Sequence, residues 1–156
     1  MTTAREIVDA LGLEPNQTCG YVRVTFGSPL QLPAGTLPHP YTAARPLGSA
    51  LYFLVAPEAP VRLHRIANDQ LYHFYAGDPL DLAIADGDDH RVVTLGADVL
   101  AGQTPQAVVP ARAWQAARST GAWSLIGATV APAFTFEGFE LAAPTWQPDG
   151  WTTPGW

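Results

Sequence analysis

The stretch LHRIANDQLYHFYAGDPL, residues 63–80, holds the side chains of this sequence that are best able to do chemistry. It contains His64, and a neutral imidazole can act as a base, an acid or a metal ligand near neutral pH. Because side chains alternate along a strand, Gln70, Tyr72 and Phe74 share one face. The stretch therefore predicts a strand that presents an amide, a phenol and a phenyl ring on the same side.

Arg23 is the candidate for an anion site. It shares a strand face with Tyr21 and Thr25, and a buried arginine requires an anion or an array of acceptors. A substrate carboxylate or phosphate would supply that charge, and so would an internal ion pair with Asp69. Both alternatives remain open from the sequence.

The other candidates divide between chemistry and packing. Tyr52 and Tyr72 are either acids or core aromatics. Gln70 and Gln115 are either pocket amides or wall amides that bond backbone groups. Trp114 directly precedes Gln115, so it points to the opposite face, where we expect it to pack.

The four histidines receive different interpretations. His64 is either a functional base or a satisfied structural histidine, and His73 is interpreted as structural. His39, between two prolines, and His90, in an acidic turn, are expected to face solvent. The lone Cys19 has no partner for an internal disulfide or a cysteine metal site.

Composition restricts the class of protein. The 156 residues are 47% hydrophobic and 14% charged, which predicts one globular domain over residues 1–156. The net charge of −6 comes without a basic cluster, so we expect no nucleic-acid partner. No lysine occurs, which excludes a Schiff base and a pyridoxal anchor, and we expect no cofactor. No apolar run is long enough to span a membrane and the start at Met1 lacks a secretory layout, which predicts a soluble, cytoplasmic protein.

The elements that position these residues are short. Thr3 and Glu6 have the spacing of a capping box, and apolar residues follow at helical spacing until Gly12, which predicts one helix within residues 1–13. From Gly20 onward, short β-rich segments alternate with turn formers. This pattern predicts an antiparallel sandwich or barrel.

Three segments need separate interpretation. Residues 27–48 are rich in proline and glycine and read as a long arm or loop. ARAWQAARSTGAW is interpreted as part of a strand pair with a turn at residues 119–121, and not as a helix. The tryptophan-rich tail, residues 142–156, is expected to pack across a surface or a partner subunit, because exposed indoles are adhesive.

Taken in order, the segments resemble the cupin superfamily: GYVRVTF, SALYFLV, LHRIANDQLYHFYAGDPLDL, VTLGADVLAGQTPQAVVPARAWQAAR and IGATVAPAFTFEGFEL. From about Ile7 to Leu141 the sequence is similar to cupin family five, a small domain of unknown function. YHFYAGDPL and TVAPAFTFEGFEL are the specific parts. The resemblance implies an all-β, double-stranded β-helix (a jelly-roll cupin barrel) with one short N-terminal helix, a ligand cavity that Gln70, Tyr72 and Phe74 face, and a homodimer.

The metal ligands of the general cupin pattern are mostly replaced. His64 takes the first histidine position, Ile66 the second and Gln70 the acid position. In the second motif Arg112 stands where a glycine is usual, and Gln115 takes the histidine position. One imidazole with two amides binds a divalent ion poorly, so the resemblance implies no tightly bound metal.

The acids of the family-five pattern are also replaced. Its histidine and glutamates correspond here to Asn16, Thr18, Val24 and Gln70. The positions that match the family are Arg23, Thr25, Tyr52, His64, Asp69, His73, Trp114 and Gln115. The cavity therefore changes from acidic to nearly neutral or cationic, which indicates either a changed ligand or decay.

Three functions are compatible with this resemblance. The first is a metal-independent isomerase, epimerase or cyclase of a small organic molecule, and the alanine-rich composition suggests a bacterial protein of secondary metabolism. The second is a non-catalytic binding protein, and the third a metal-dependent enzyme with a reduced ligand set. The implied site consists of catalytic His64, Tyr72 and Tyr52, and of substrate-binding Arg23, Thr25, Gln70, Phe74 and Gln115.

Overall fold

A computed structural model describes residues 1–39, 41–151 and 156 of the protein. It is built mainly of short strands, with one α-helix and one turn of 3-10 helix at Val99–Ala101. In chain order the strands are β1 (Glu14–Pro15), β2 (Tyr21–Gly27), β3 (Gln31–Leu32), β4 (Arg45–Pro46), β5 (Ser49–Val55), β6 (Val61–Arg65), β7 (Gln70–Gly77), β8 (Leu80–Asp86), β9 (Asp89–Leu95), β10 (Gln106–Val109), β11 (Trp114–Ser119), β12 (Ser124–Val130) and β13 (Glu140–Leu141). No helix in the described ranges is long and apolar enough to cross a membrane.

The predicted helix is confirmed as α1, Ala4–Leu11. The Thr3 side chain accepts from the Glu6 backbone N–H, and the Glu6 carboxylate accepts in return from the Thr3 N–H at 2.8 Å. Gly12 ends the helix with φ 61°, a left-handed conformation that glycine adopts at little cost. Both ends of the helix are thus fixed by the residues that the sequence singles out.

Two antiparallel sheets form the predicted jelly roll. The first contains six strands in the order β1-β2-β5-β12-β7-β10, and the second contains five in the order β13-β6-β11-β8-β9. Consecutive strands often lie in different sheets, as β7 and β8 do. The double-stranded β-helix is therefore confirmed. Many of its paired strands are distant from each other in the sequence.

One predicted strand pair is wrong. The segment around Trp114 is a strand, as expected, but β11 pairs with β6 and β8, whereas β12 pairs with β5 and β7. The turn after Ser119 carries the chain from one sheet to the other and does not form a hairpin. By contrast β8 and β9 do form a hairpin, closed by Asp86 opposite Asp89.

The inward faces of the sheets make the main core. Alternate residues of each strand point inward, so Phe53, Ile126 and Leu82 share one buried cluster. Helix α1 covers the outer face of the six-stranded sheet through Val8, which packs with Leu54. The barrel is thus buried on its inside and partly covered outside.

The tryptophan-rich tail covers the outer face of the five-stranded sheet. Trp151 is buried in a cluster with Leu63 and Trp114, and the Trp146 ring lies 4.6 Å from the Trp114 ring. The guanidinium of Arg118 lies over the Trp156 ring. The described part of the tail therefore packs on its own domain, while residues 152–155 lie outside the described residues.

The long arm, residues 27–48, meets residues 131–139 at one end of the barrel. Its only regular structure in the described part is the short β3–β4 pair. Arg45 is buried and its Nη2 lies 2.6 Å from the Glu137 carboxylate. Thr42 and the Ala43 backbone N–H bond the same carboxylate.

Candidate functional site

His64 lies inside the barrel because of an irregularity in β6. Three residues of β11, from Gln115 to Ala117, face four residues of β6, from His64 to Val61. As a result Val61 and His64 both point inward, while Leu63 joins the outer cluster. His64 is only 3% exposed.

The imidazole of His64 is neutral and its tautomer is fixed. Burial lowers the pKa of His64 to about 4, and a hydrogen bond to the Arg62 backbone opposes that shift. The partner atom is the Arg62 carbonyl oxygen, 2.7 Å from Nδ1. Because a carbonyl oxygen only accepts, Nδ1 carries the proton and Nε2 keeps its lone pair. No described residue bonds Nε2.

A chain of neutral side chains crosses from one sheet to the other. The Tyr72 hydroxyl donates to Gln115 Oε1 at 2.6 Å, and Gln115 Nε2 donates to Gln70 Oε1 at 3.0 Å. Tyr72 and Gln115 are fully buried, so these bonds hold both side chains in place. Burial, with a smaller contribution from Cys19, raises the pKa of Tyr72 well above its usual value, which keeps the phenol protonated.

The rest of the interior is apolar and uncharged. Phe53 and Phe74 pack in the same cluster as Tyr72, and the Phe53 and Tyr72 rings meet edge to face at 5.3 Å. Cys19 also packs against this cluster, and burial raises the pKa of its thiol to about 12. The interior is therefore neutral, in line with the loss of acids noted in the sequence.

Tyr52, Arg23 and Thr25 do not join His64. Tyr52 belongs to the outer cluster beneath helix α1, on the opposite face of β5 from Phe53. Arg23 pairs with Tyr52 in register, is exposed, and donates to the Leu11 carbonyl oxygen at 2.8 Å. Thr25 is exposed at the irregularity of β2. The proton-partner role of Tyr52 and the substrate roles of Arg23 and Thr25 therefore have no geometric support.

The proposed ion pair of Arg23 with Asp69 is also not formed. Asp69 instead accepts a hydrogen bond from the Ala111 backbone N–H at 2.8 Å. The anion that the sequence required for a buried Arg23 is unnecessary because its guanidinium is at the surface and bonds a helix carbonyl. Among the described residues the fully buried arginine is Arg45, which sequence analysis did not single out.

Two of the three predictions for the other histidines are confirmed. His39 is exposed, and His73 lies on the outer face, where its ring bonds Thr129 and Gln106. The prediction that His90 faces solvent is wrong, because His90 is partly buried and its ring lies 6.4 Å from the Trp151 ring. Proximity to the tail, which is distant in sequence, explains the difference.

The residues at the metal positions of the fold do not fit a metal ion. Gln115 Oε1 and Gln70 Oε1, the two amide oxygens, already accept hydrogen bonds within the chain, and Ile66 supplies no donor atom. Only His64 Nε2 is left as a ligand. Within the described residues no group of three or more His, Cys, Asp or Glu side chains is placed to hold a metal ion.

Three residues near the barrel were missed by sequence reasoning. Cys19 packs against the interior cluster, and Arg112 lines a cavity at the end of the barrel. Arg45 joins the arm to residues 131–139 through its ion pair with Glu137. Arg112 alone had a signal, since it replaces a usual glycine. Phe139 connects the two regions, because it lines the same cavity and its ring lies 6.0 Å from the His64 ring.

The fold and this interior define a cupin barrel, and the comparisons with known proteins agree. The model of the family described as Cupin superfamily (DUF985) matches residues 5–142. The chain belongs to this family. Among curated proteins, none matches the sequence.

Solved structures extend the similarity. A hypothetical protein from Leishmania major is 27% identical with a TM-score of 0.82, and the match covers 92% of this chain and 89% of that one. A protein from Shewanella oneidensis is 29% identical with a TM-score of 0.80, and the match covers 92% and 87%. An oxalate decarboxylase from Lactobacillus farciminis, solved as a formate complex, is 13% identical with a TM-score of 0.56, over 85% and 34%. That last likeness shows the fold alone.

Proposed function

We propose that this protein binds a small, uncharged organic molecule inside its barrel, with His64 as the central polar contact. The observation that carries the proposal is the state of the imidazole: buried, neutral, held through Nδ1 by the Arg62 carbonyl oxygen, and unbonded at Nε2. A lone pair fixed in an apolar interior accepts a hydrogen bond from a ligand hydroxyl or N–H group.

The neutral interior supports an uncharged ligand. Tyr72, Gln115 and Gln70 form hydrogen bonds with one another and none of them is ionised. The interior therefore contains amides and a phenol but no charge that could pair with an ionic ligand. An ion moved into such surroundings loses its hydration without gaining a counter-charge. A ligand with hydroxyl, amide or carbonyl groups avoids that cost.

A metal-independent isomerase, epimerase or cyclase is the second candidate function, and the free Nε2 atom favours it. In an isomerisation this atom would take a proton from one atom of the substrate and return it to another, so that the composition of the substrate is unchanged. Tyr72 would hold Gln115 in place and would not transfer a proton, because its hydroxyl already donates to Gln115 Oε1 and its raised pKa disfavours release of that proton. The pKa of about 4 makes His64 a weak base, which favours binding over turnover.

The test begins with native mass spectrometry of the protein purified without chelator, to detect a co-purified organic molecule. His64→Ala, with His73→Ala on the outer face as the matched control, then separates the two candidates once that molecule is known. Binding alone predicts weaker affinity for His64→Ala, whereas an isomerase predicts loss of turnover with folding kept. Equal affinity and turnover in both variants would refute a role for His64.

Elemental analysis of the same preparation tests the metal-dependent alternative. The donor set around His64 predicts less than stoichiometric transition metal. A near-stoichiometric metal content that His64→Ala abolishes would overturn the neutral-pocket proposal and restore the metalloenzyme.

We also propose that the protein is a homodimer. The outer face of β7 and β10 exposes apolar side chains, with Tyr75 52% and Val108 50% exposed. A second copy covering this face would remove them from water. Light scattering that gives twice the chain mass supports the proposal, and a monomeric mass at micromolar concentration refutes it.

A further inference from the structure

A cavity of about 200 Å³ lies at the end of the barrel that carries the turn between β10 and β11. Its lining consists of Arg65, Ile66, Arg112, Gly138, Phe139 and Glu140. It is distinct from the interior proposed above to bind a neutral ligand, because His64, Tyr72, Gln115 and Gln70 are not part of its lining. Binding in this cavity does not require that the interior binds a ligand.

The backbone of Arg112 is in a conformation that an arginine rarely adopts. Its φ of 68° is left-handed, and among the described residues it is the one residue other than glycine with positive φ. The turn imposes this angle, since the Arg112 N–H donates to the Ile66 carbonyl oxygen at 2.8 Å and the Ala113 N–H to that of Pro110. A glycine would adopt it without the clash of Cβ. Strain of this kind is concentrated at functional sites.

The charges of the cavity leave one cation uncompensated. Arg65 pairs with Glu140 at 2.6 Å and its guanidinium stacks over the Trp114 ring at 4.7 Å. Arg112 is exposed and has no hydrogen bond or ion pair from its side chain to any described residue. The guanidinium of Arg112 is therefore free to bind an anion from solution.

The shape and lining select among anions. Ile66 and the Phe139 ring give the cavity an apolar wall, and the Glu140 carboxylate repels a second negative charge. The volume is below the roughly 300 Å³ at which pockets for drug-sized ligands begin. A guanidinium also matches the planar fork of a carboxylate.

From these observations we infer that the cavity at Arg112 is a binding site for a small organic monocarboxylate with an apolar body. The carboxylate lies on the Arg112 guanidinium, and the apolar body lies against Phe139 and Ile66. The arginine is held at a strained position because the ligand requires its charge there.

Calorimetric titration of the full chain with benzoate at constant ionic strength tests this inference. Benzamide serves as the neutral isostere and inorganic phosphate as an anion without an apolar body. Arg112→Gln removes the charge, and Arg91→Gln removes an equal charge from the exposed edge strand β9 as the matched control. We expect saturable benzoate binding that Arg112→Gln weakens at least about tenfold and Arg91→Gln leaves unchanged.

The remaining outcomes decide against the inference. Benzoate binding equal in wild type and Arg112→Gln, or absent from both, overturns the site. Phosphate or benzamide binding as tightly as benzoate overturns the class of ligand. Arg112→Gly is expected to melt at the same or a higher temperature than wild type; a lower melting temperature would mean that the arginine is retained for stability.

Discussion

Replacing Tyr72 with phenylalanine tests whether the neutral hydrogen-bond chain fixes the interior. The ring is kept, so no cavity opens, and the change removes only the 2.6 Å bond to Gln115 Oε1. Gln115 is 0% exposed, so its oxygen loses a partner that water cannot replace. Such an orphaned buried acceptor costs about 1–3 kcal/mol. In a domain of this size, that corresponds to a decrease in melting temperature of roughly 2–12 °C.

Urea unfolding of the wild type and four variants measures the effect and its origin. Tyr75→Phe is the matched control, because Tyr75 lies on the outer face, is 52% exposed and has no hydrogen bond from its hydroxyl to a described residue. It should change stability by less than about 0.5 kcal/mol. All proteins are compared at one concentration, because Tyr75 also lies on the face proposed to dimerise. Gln115→Met and the double variant complete a cycle, in which the two changes together should cost about 1 kcal/mol less than their sum. Additive costs, or a Tyr72→Phe effect as small as that of Tyr75→Phe, would refute the reasoning.

Three further predictions concern stability. His64 has a folded pKa of about 4 against 6.5, so protonation favours the unfolded chain; as pH falls from 6.5 to 4 the wild type should lose about 3 kcal/mol relative to His64→Gln, measured by urea unfolding. An equal loss in both proteins would contradict the buried neutral imidazole. Glu137→Gln should lower the melting temperature more than Glu140→Gln. The first change leaves the buried Arg45 without its counter-charge, whereas Arg65, the partner of Glu140, is partly exposed. Equal effects would argue against a stabilising role of the Arg45–Glu137 ion pair. Trp151→Ala should cost about 3–5 kcal/mol and Trp146→Ala clearly less, because Trp151 is 8% exposed and Trp146 46%; a tail that packs only on a partner would give small effects for both in dilute monomer.

Local patterns predicted the local elements. The capping box defined α1, and the alternation of side chains in β7 placed Gln70, Tyr72 and Phe74 on one face of that strand. Each of these depends on residues within a few positions of one another. The resemblance to cupins supplied the topology that such patterns cannot give.

The sequence of β5 explains why Tyr52 and Arg23 were assigned to the wrong face. Its sequence SALYFLV is apolar on both faces, because one face lines the barrel and the other packs beneath helix α1. Alternation then carries no contrast that distinguishes inside from outside. Tyr52 was assigned to the interior by its match to the family, and Arg23, its neighbour in register, shares its outward face.

Long-range pairs escaped the sequence for a different reason. Arg45 and Glu137 are 92 positions apart and meet only because the arm and residues 131–139 cross the same end of the barrel. The turn after β11 has the residues of a hairpin turn, yet the jelly roll uses it to change sheets. A local signal fixes the direction of the chain at a turn, while the choice of partner strand depends on the whole barrel.

Phe139 lies close to both proposed sites, one of which carries a charge and the other of which is neutral. Its ring lines the cavity that Arg112 also lines, and the same ring lies 6.0 Å from the neutral imidazole of His64. His64 keeps a pKa of about 4 because its desolvation dominates, and water entering past Phe139 would raise that pKa toward 6.5. We therefore expect the Phe139 ring to help keep water from the imidazole on which the interior proposal depends, and the same ring contributes to the apolar wall of the proposed carboxylate site. A smaller side chain at this position should affect both sites, whereas Arg112→Gln should affect only one.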